Sequence, residues 1–297
     1  MITGTEFVKT YGPKGPDAWE SAVLAHARQD DLTPWPWVNL PLADAEGNTA
    51  VLRVQTDVLS VGPTQDFLRL PMRPIFAQNV LNLFGWLMPT PWLVYKMFQA
   101  SALKLTPIPA QTNLGPNIAQ YARHSQQISA QIEAKGGAPP NGLISGLKKA
   151  VVVSNIYLPG KVLIFGWYWP PPAPDVYDDG KPWQDPSRQP IQAKSNEHGE
   201  NYVDYSHGIH CIGPECIVNG QPMNTVDLYQ HPKLYKLVSN EGAPVRVPRY
   251  PSQVVPTKNL PTNQAAPGRV ARNVEVLPHL PAVSDQPLDN LIPVKRG

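Results

Sequence analysis

Charge is what this chain has least of. Only 16% of its 297 residues are Asp, Glu, Lys or Arg, against roughly 25% in an ordinary soluble protein. The formal net charge is +2, with no lysine or arginine stripe. That balance excludes an electrostatic nucleic-acid binder, and no nucleic-acid motif is present. Cysteine is nearly absent: Cys211 and Cys216 are the only two. They rule out a disulfide framework, although one bridge between them is conceivable from spacing alone. Long apolar runs are missing too. The longest, IYLPGKVLIFGWYWPPP, is broken by Pro159, Gly160 and Lys161 and is too short to span a bilayer. The N-terminus, MITGTEFVKTYGPKG, has no signal-peptide h-region. The expectation is a protein made in the cytoplasm without a signal peptide, with export by a specialised machine or release by lysis left open.

Proline is in excess, at 36 residues, about twice the usual share of roughly 5%. Each one fixes φ and removes a backbone donor, which thins regular structure where prolines are dense. Few charges leave much neutral surface, which is easier to bury against partners.

The coarse pattern is α+β, with helices in the N-terminal half, mainly antiparallel β-structure in the second half, and an extended proline-rich C-terminal arm. Residues 17–29 read as an amphipathic helix, with Asp17 and Glu20 spaced as a capping box. TPWPWVNLPLAD and TAVLRVQTDVLSVG flank AEGN as a hairpin. Pro74 starts a helix that ends near Gly85, and Thr90-Pro91 starts the next. A third runs from about Pro116 to Lys135, with Ile118, Tyr121, Ile128 and Ile132 as its apolar stripe. AVVVS, KVLIFGWYW, ENYVDYSHGIHCI and CIVNGQPM then read as strands, with Asn219-Gly220 as a turn. A last helical stretch is interrupted by Pro232. Helices followed by strands mark an α+β rather than an alternating domain. The expected organisation is one domain over 1–241, helix-rich over 1–140 and strand-rich over 141–241. The arm, 242–297, is expected to lie along this domain or along neighbouring subunits.

Chemistry concentrates in HGENYVDYSHGIHCIGPEC, residues 198–216. The candidate catalytic residues are His198, Asp204, Ser206 and His207. Read as a strand, ENYVDYSHGIHCI puts Tyr202, Asp204, Ser206 and His210 on one face, and Val203, Tyr205, His207, Ile209 and Cys211 on the other. Asp204 and Ser206 would then be roughly 6–7 Å apart, and a histidine for Ser206 would have to come from a bulged His207 or from His198. A zinc reading from His198, Asp204, His207, His210, Cys211 and Cys216 lacks repeated knuckle spacing, so no metal is expected. A cysteine peptidase needs a thiolate at a helix start beside a histidine, and neither cysteine opens a predicted helix. The competing plain reading is a buried strand with a hydrogen-bonded His207 and two small apolar cysteines. His26, His124, His231 and His279 read as isolated surface or core residues. Trp167 reads as core. Trp183, Arg246, Arg249 and Tyr250 are the candidate partner contacts.

QDFLRLPMRP, AQNVLNLFGWLMPTPWLVYKMFQASALKLTPIP, GLISGLKKAVVVSN, KVLIFGW, QPIQ and YVDYSHGI together resemble a family of uncharacterised bacterial proteins over about residues 50–212. The resemblance implies counterparts of His198, Asp204, Ser206 and His207. It also implies a histidine where Leu147 stands, Asp at Ala150, His at Tyr168 and Arg at His210. It carries no known reaction.

Two functions follow. One is a structural or interaction component of a larger assembly, for instance a phage virion protein, on a hydrolase-like core with a degenerate site, binding other subunits through its arm. The alternative is a hydrolase acting on an envelope polymer, peptidoglycan or polysaccharide, through the Ser/His/Asp cluster. No cofactor is implied.

Overall fold

The computed structural model describes residues 1–169 and 190–256. Its helices are α1 (Gly4–Tyr11), α2 (Pro16–Arg28), α3 (Pro74–Leu83), α4 (Pro91–Ala100), α5 (Ile118–Ala134) and α6 (Thr225–Gln230). Its strands are β1 (Trp37–Ala43), β2 (Thr49–Gln55), β3 (Ser60–Val61), β4 (Leu68–Arg69), β5 (Leu103–Lys104), β6 (Ile144–Ser145), β7 (Lys149–Val151), β8 (Ile164–Tyr168), β9 (Pro190–Ser195), β10 (His207–Gly208), β11 (Ile212–Val218) and β12 (Gln221–Asn224). The α+β class and the mainly antiparallel pairing are as the pattern predicts.

Local chemistry explains most boundaries. Thr90 caps α4 by accepting from the Leu93 amide, and Asn117 caps α5 through the Gln120 amide. The stripe Ile118, Tyr121, Ile128 and Ile132 is buried, and positive φ at Gly136 and Gly137 ends that helix. Asn219 and Gly220, both at positive φ, join β11 to β12 in the turn such a pair favours. Two details differ. Helix α1 is unforeseen, although Thr3 and Glu6 form its capping box. The expected box at Asp17 and Glu20 does not form: Gly15 is the N-cap of α2. Glu20 instead accepts from the Arg73 amide at 2.6 Å and its Nε at 2.7 Å, because an arginine fork outcompetes a helix amide for a buried carboxylate.

Two four-stranded sheets organise the molecule. One has the order β1-β2-β11-β12 and the other β10-β7-β8-β9. The first joins strands from both ends of the sequence, so the helix-rich and strand-rich stretches share one core. Its largest apolar cluster runs from Phe7 to Tyr250 and includes Leu52, Val54, Leu81, Leu87, Met88 and Ile212.

Residues 242–256, the first part of the expected arm, lie along the domain and bond to it. Tyr250 is buried; its hydroxyl donates to Val152 O at 2.9 Å and accepts from the Leu163 amide at 2.9 Å. Arg249 donates to Asn82 Oδ1, Trp86 O and Gly85 O, and Arg246 donates to Asn155 O. These three side chains are candidate partner contacts; Tyr250 and most of the Arg249 fork bond within the chain, while Arg246 stays exposed with a single guanidinium bond to Asn155 O. Prolines that deny this segment a ladder leave its side chains to anchor it. Trp183 and the arm beyond residue 256 lie outside the described residues.

Candidate functional site

The segment 201–206 is not a strand. β10 is only His207–Gly208, paired in parallel with Lys149–Ala150 of β7. Asp204 is the cause. Its Oδ1 accepts from the Ser206 amide at 2.8 Å and from the Ser206 hydroxyl at 2.6 Å, while the His207 amide donates to Asp204 O at 3.2 Å. A short carboxylate capturing an amide two residues on is the turn chemistry that competes with a sheet ladder. The turn brings Asp204 and Ser206 into direct contact, so the strand spacing expected between them does not hold.

Asp204 Oδ2 accepts from Tyr202 Oη at 2.8 Å and Asn113 Nδ2 at 3.1 Å. The exposed His198 stacks on Tyr202, with centroids 3.8 Å apart and planes at 15°. Three of the four candidate residues are linked through Tyr202, in an unexpected order: His198 lies over Tyr202, Tyr202 bonds Asp204, and Asp204 bonds Ser206, while His207 stays beside them unbonded. His207 Nε2 is 3.9 Å from Asp204 Oδ1, too far for a hydrogen bond. Fully buried, neither ring nitrogen of His207 has a hydrogen-bond partner. The expected hydrogen-bonded His207 is thus corrected. The turn spends the Asp204 oxygens on nearer donors, and the imidazole meets the Tyr202 ring at 63° with centroids 5.6 Å apart.

Burial pushes the His207 imidazole down to about 4, although Asp204 pulls it up. Burial pushes Asp204 up, and His207, Ser206 and Tyr202 together bring it below the ordinary carboxylate value. Since His207 is neutral above about pH 4, the hydrogen bonds do that work at neutral pH. Burial and Asp204 raise the Tyr202 phenol to about 12, so it stays a donor.

A second layer lies beneath. Lys148, 3% exposed, donates to Tyr205 O at 2.5 Å and to His124 Nδ1 at 3.0 Å. His124 Nε2 then donates to Ile108 O at 3.1 Å, which sets its neutral tautomer. His124 is therefore part of a polar core group rather than isolated. Burial, assisted by Arg69, lowers Lys148 to about 7, and burial with Lys148 lowers His124 to about 3. Gly208 admits this lysine: a Cβ there would stand 2.7 Å from Lys148 Cβ. Sequence reading missed Lys148, Tyr202, Tyr205, Asn113 and His124. Only the Asp-x-Ser turn signal was present to find.

Both cysteines are buried and free. Burial raises the Cys211 thiol, and takes Cys216 to about 11, the reverse of thiolate activation. Among the described residues, no three His, Cys, Asp or Glu side chains converge as metal ligands. No described helix is long and apolar enough to cross a membrane.

Comparison with family models, curated proteins and solved structures finds no match for this chain.

Proposed function

We propose that this chain is a structural or interaction component of a larger assembly, with a virion as the setting its composition suggests. One observation carries the reading: the Asp204 network is saturated from within. Ser206 is 1% exposed and gives its hydroxyl proton to Asp204 rather than to a histidine. A nucleophilic serine needs a base that is held for the attack and an open approach for the carbonyl. Here the carboxylate accepts four hydrogen bonds from its own chain, which lowers its basicity. The resemblance read from the sequence implies polar groups at positions filled here by apolar packing. Leu147 sits with Val58, Leu105 and Ile128, Ala150 with Val94 and Val152, and Tyr168 stacks on Phe98.

Arg249 and Tyr250 are anchored inside the chain, so in this reading contact with other subunits is assigned to residues 257–297. Native mass measurement is the test. The full-length chain should assemble with itself or with a co-purified protein, and deletion of 257–297 should leave a monomer. A monomeric full-length chain that cleaves peptidoglycan or polysaccharide, with turnover lost in Ser206→Ala, would establish the hydrolase instead.

A further inference from the structure

The outward face of the β1-β2-β11-β12 sheet holds a groove of about 880 Å³ that shares no residue with the Asp204 network. It has the size of a ligand site. The sheet register builds it. Pro41 pairs with Val51, Val51 with Ile217, and Ile217 with Pro222, giving one apolar row across four strands. Asn39 pairs with Arg53, and Glu215 with Asn224, giving a polar row beside it. Between Ile212 and Cys216 the register of β11 against β2 shifts. This irregularity carries Gly213 and Pro214, which line the groove. Trp37 and Trp86 form one wall, with centroids 5.1 Å apart at 66°, and Phe84 stacks behind Trp86 at 4.3 Å.

The chemistry of the lining selects the ligand. The side chains of Asn39, Arg53, Glu215 and Asp227 line or border the groove and make no hydrogen bond or ion pair among the described residues. Planar donors and acceptors of both signs are left unspent beside the half-buried Trp37 indole, which the buried Trp86 backs. A pyranose ring matches that set, because its C–H face stacks on an indole and its hydroxyl edge both donates and accepts. Arg53 with Glu215 and Asp227 gives a local charge near minus one, which disfavours polyanions. An extended peptide would dock more readily on a sheet edge, by strand addition. Both edge strands carry a proline inside them, Pro41 in β1 and Pro222 in β12, and each removes a ladder donor.

We propose that this groove binds a neutral oligosaccharide. The site is independent of the assembly role and of the Asp204 network. The test titrates the full chain separately with chitotetraose, cellotetraose and maltotetraose, by calorimetry and tryptophan fluorescence. At least one should bind saturably with a change in indole emission. Its affinity should fall about tenfold or more in Trp37→Ala and in Arg53→Ala. Arg53 is exposed, so its variant should melt as the parent does, which separates lost binding from lost folding. Failure of all three sugars to bind would overturn the proposal, as would binding indifferent to both variants. Capture of a synthetic 257–297 peptide, abolished by Trp37→Ala, would also overturn it and make this face a protein-docking surface.

Discussion

His207 and Asp204 sit side by side and respond to mutation in opposite ways. Asp204→Ala strips a charged acceptor from Ser206, Tyr202 and Asn113, and should cost about 3 kcal/mol, read as a lower melting temperature. His207→Leu removes a group that has no hydrogen bond to lose. It should fall within about 1 kcal/mol of the parent at pH 7.5. Acid separates the two residues further. The folded His207 value of about 4 lies below the unfolded value of about 6.5, so between them the unfolded chain binds the extra proton. The stability contributed by neutral His207 is complete above about pH 6.5 and is lost as pH falls toward 4, by up to about 3 kcal/mol. His210, lowered by burial to about 4, adds a loss of the same sign. Denaturant melts from pH 7.5 to 4.5 should slope less steeply in His207→Leu. An unchanged slope would mean that His207 does not titrate between the two states. The lowered Asp204 value places its own loss further down, below the ordinary carboxylate range.

At the scale of elements, ends and turns were legible where one residue acts on its own backbone. Thr90, Gly136-Gly137 and Asn219-Gly220 each mark a boundary the structure keeps. Legibility stopped where a side chain reaches across the molecule. Glu20 looks like a cap until Arg73 arrives from 53 residues away. Asp204 looks like a strand residue only while its Asx turn goes unweighed. The candidate cluster was readable as residue types but not as a bonding order, since periodicity carries no information about which donor wins a carboxylate. Arg69 tests such distant reach. It is 1% exposed, grips Asp57 through Nε and Nη2, and donates to Ser125 O and Ser129 Oγ. Arg69→Ala should destabilise by about 3–5 kcal/mol, because Asp57 is left buried and unpaired. Chemical denaturation would show it as a lowered midpoint with an unchanged slope.

For the whole molecule, the question is where the folded body stops. Proline content suggested that it ends near 241, but composition cannot reveal that Tyr250 and Arg249 are anchors, because their partners lie at Gln78–Trp86 and Val152–Leu163. Two truncations separate the functions of the C-terminal residues. Removing 257–297 should leave the melting temperature unchanged within about 0.5 kcal/mol, while abolishing assembly. Removing 242–297 exposes Val152, Leu163 and the α3 surface. It should lower stability by several kcal/mol, and the hydroxyl contacts alone can be sampled with Tyr250→Phe at about 1–3 kcal/mol. If the shorter truncation melts early, the arm beyond 256 is part of the body.

The anchoring of Tyr250 also sets a schedule. Val152 and Leu163 bond a residue synthesised nearly at the end of the described chain. At about 5–20 residues per second, they wait on the order of 5–20 s for it. During that interval β8 and the α3 flank are made but uncovered. The nascent chain therefore has a window of exposed apolar surface, which translation speed or a holdase can shorten or shield. A pause in synthesis before codon 250 should lower the soluble yield more than an equal pause after it.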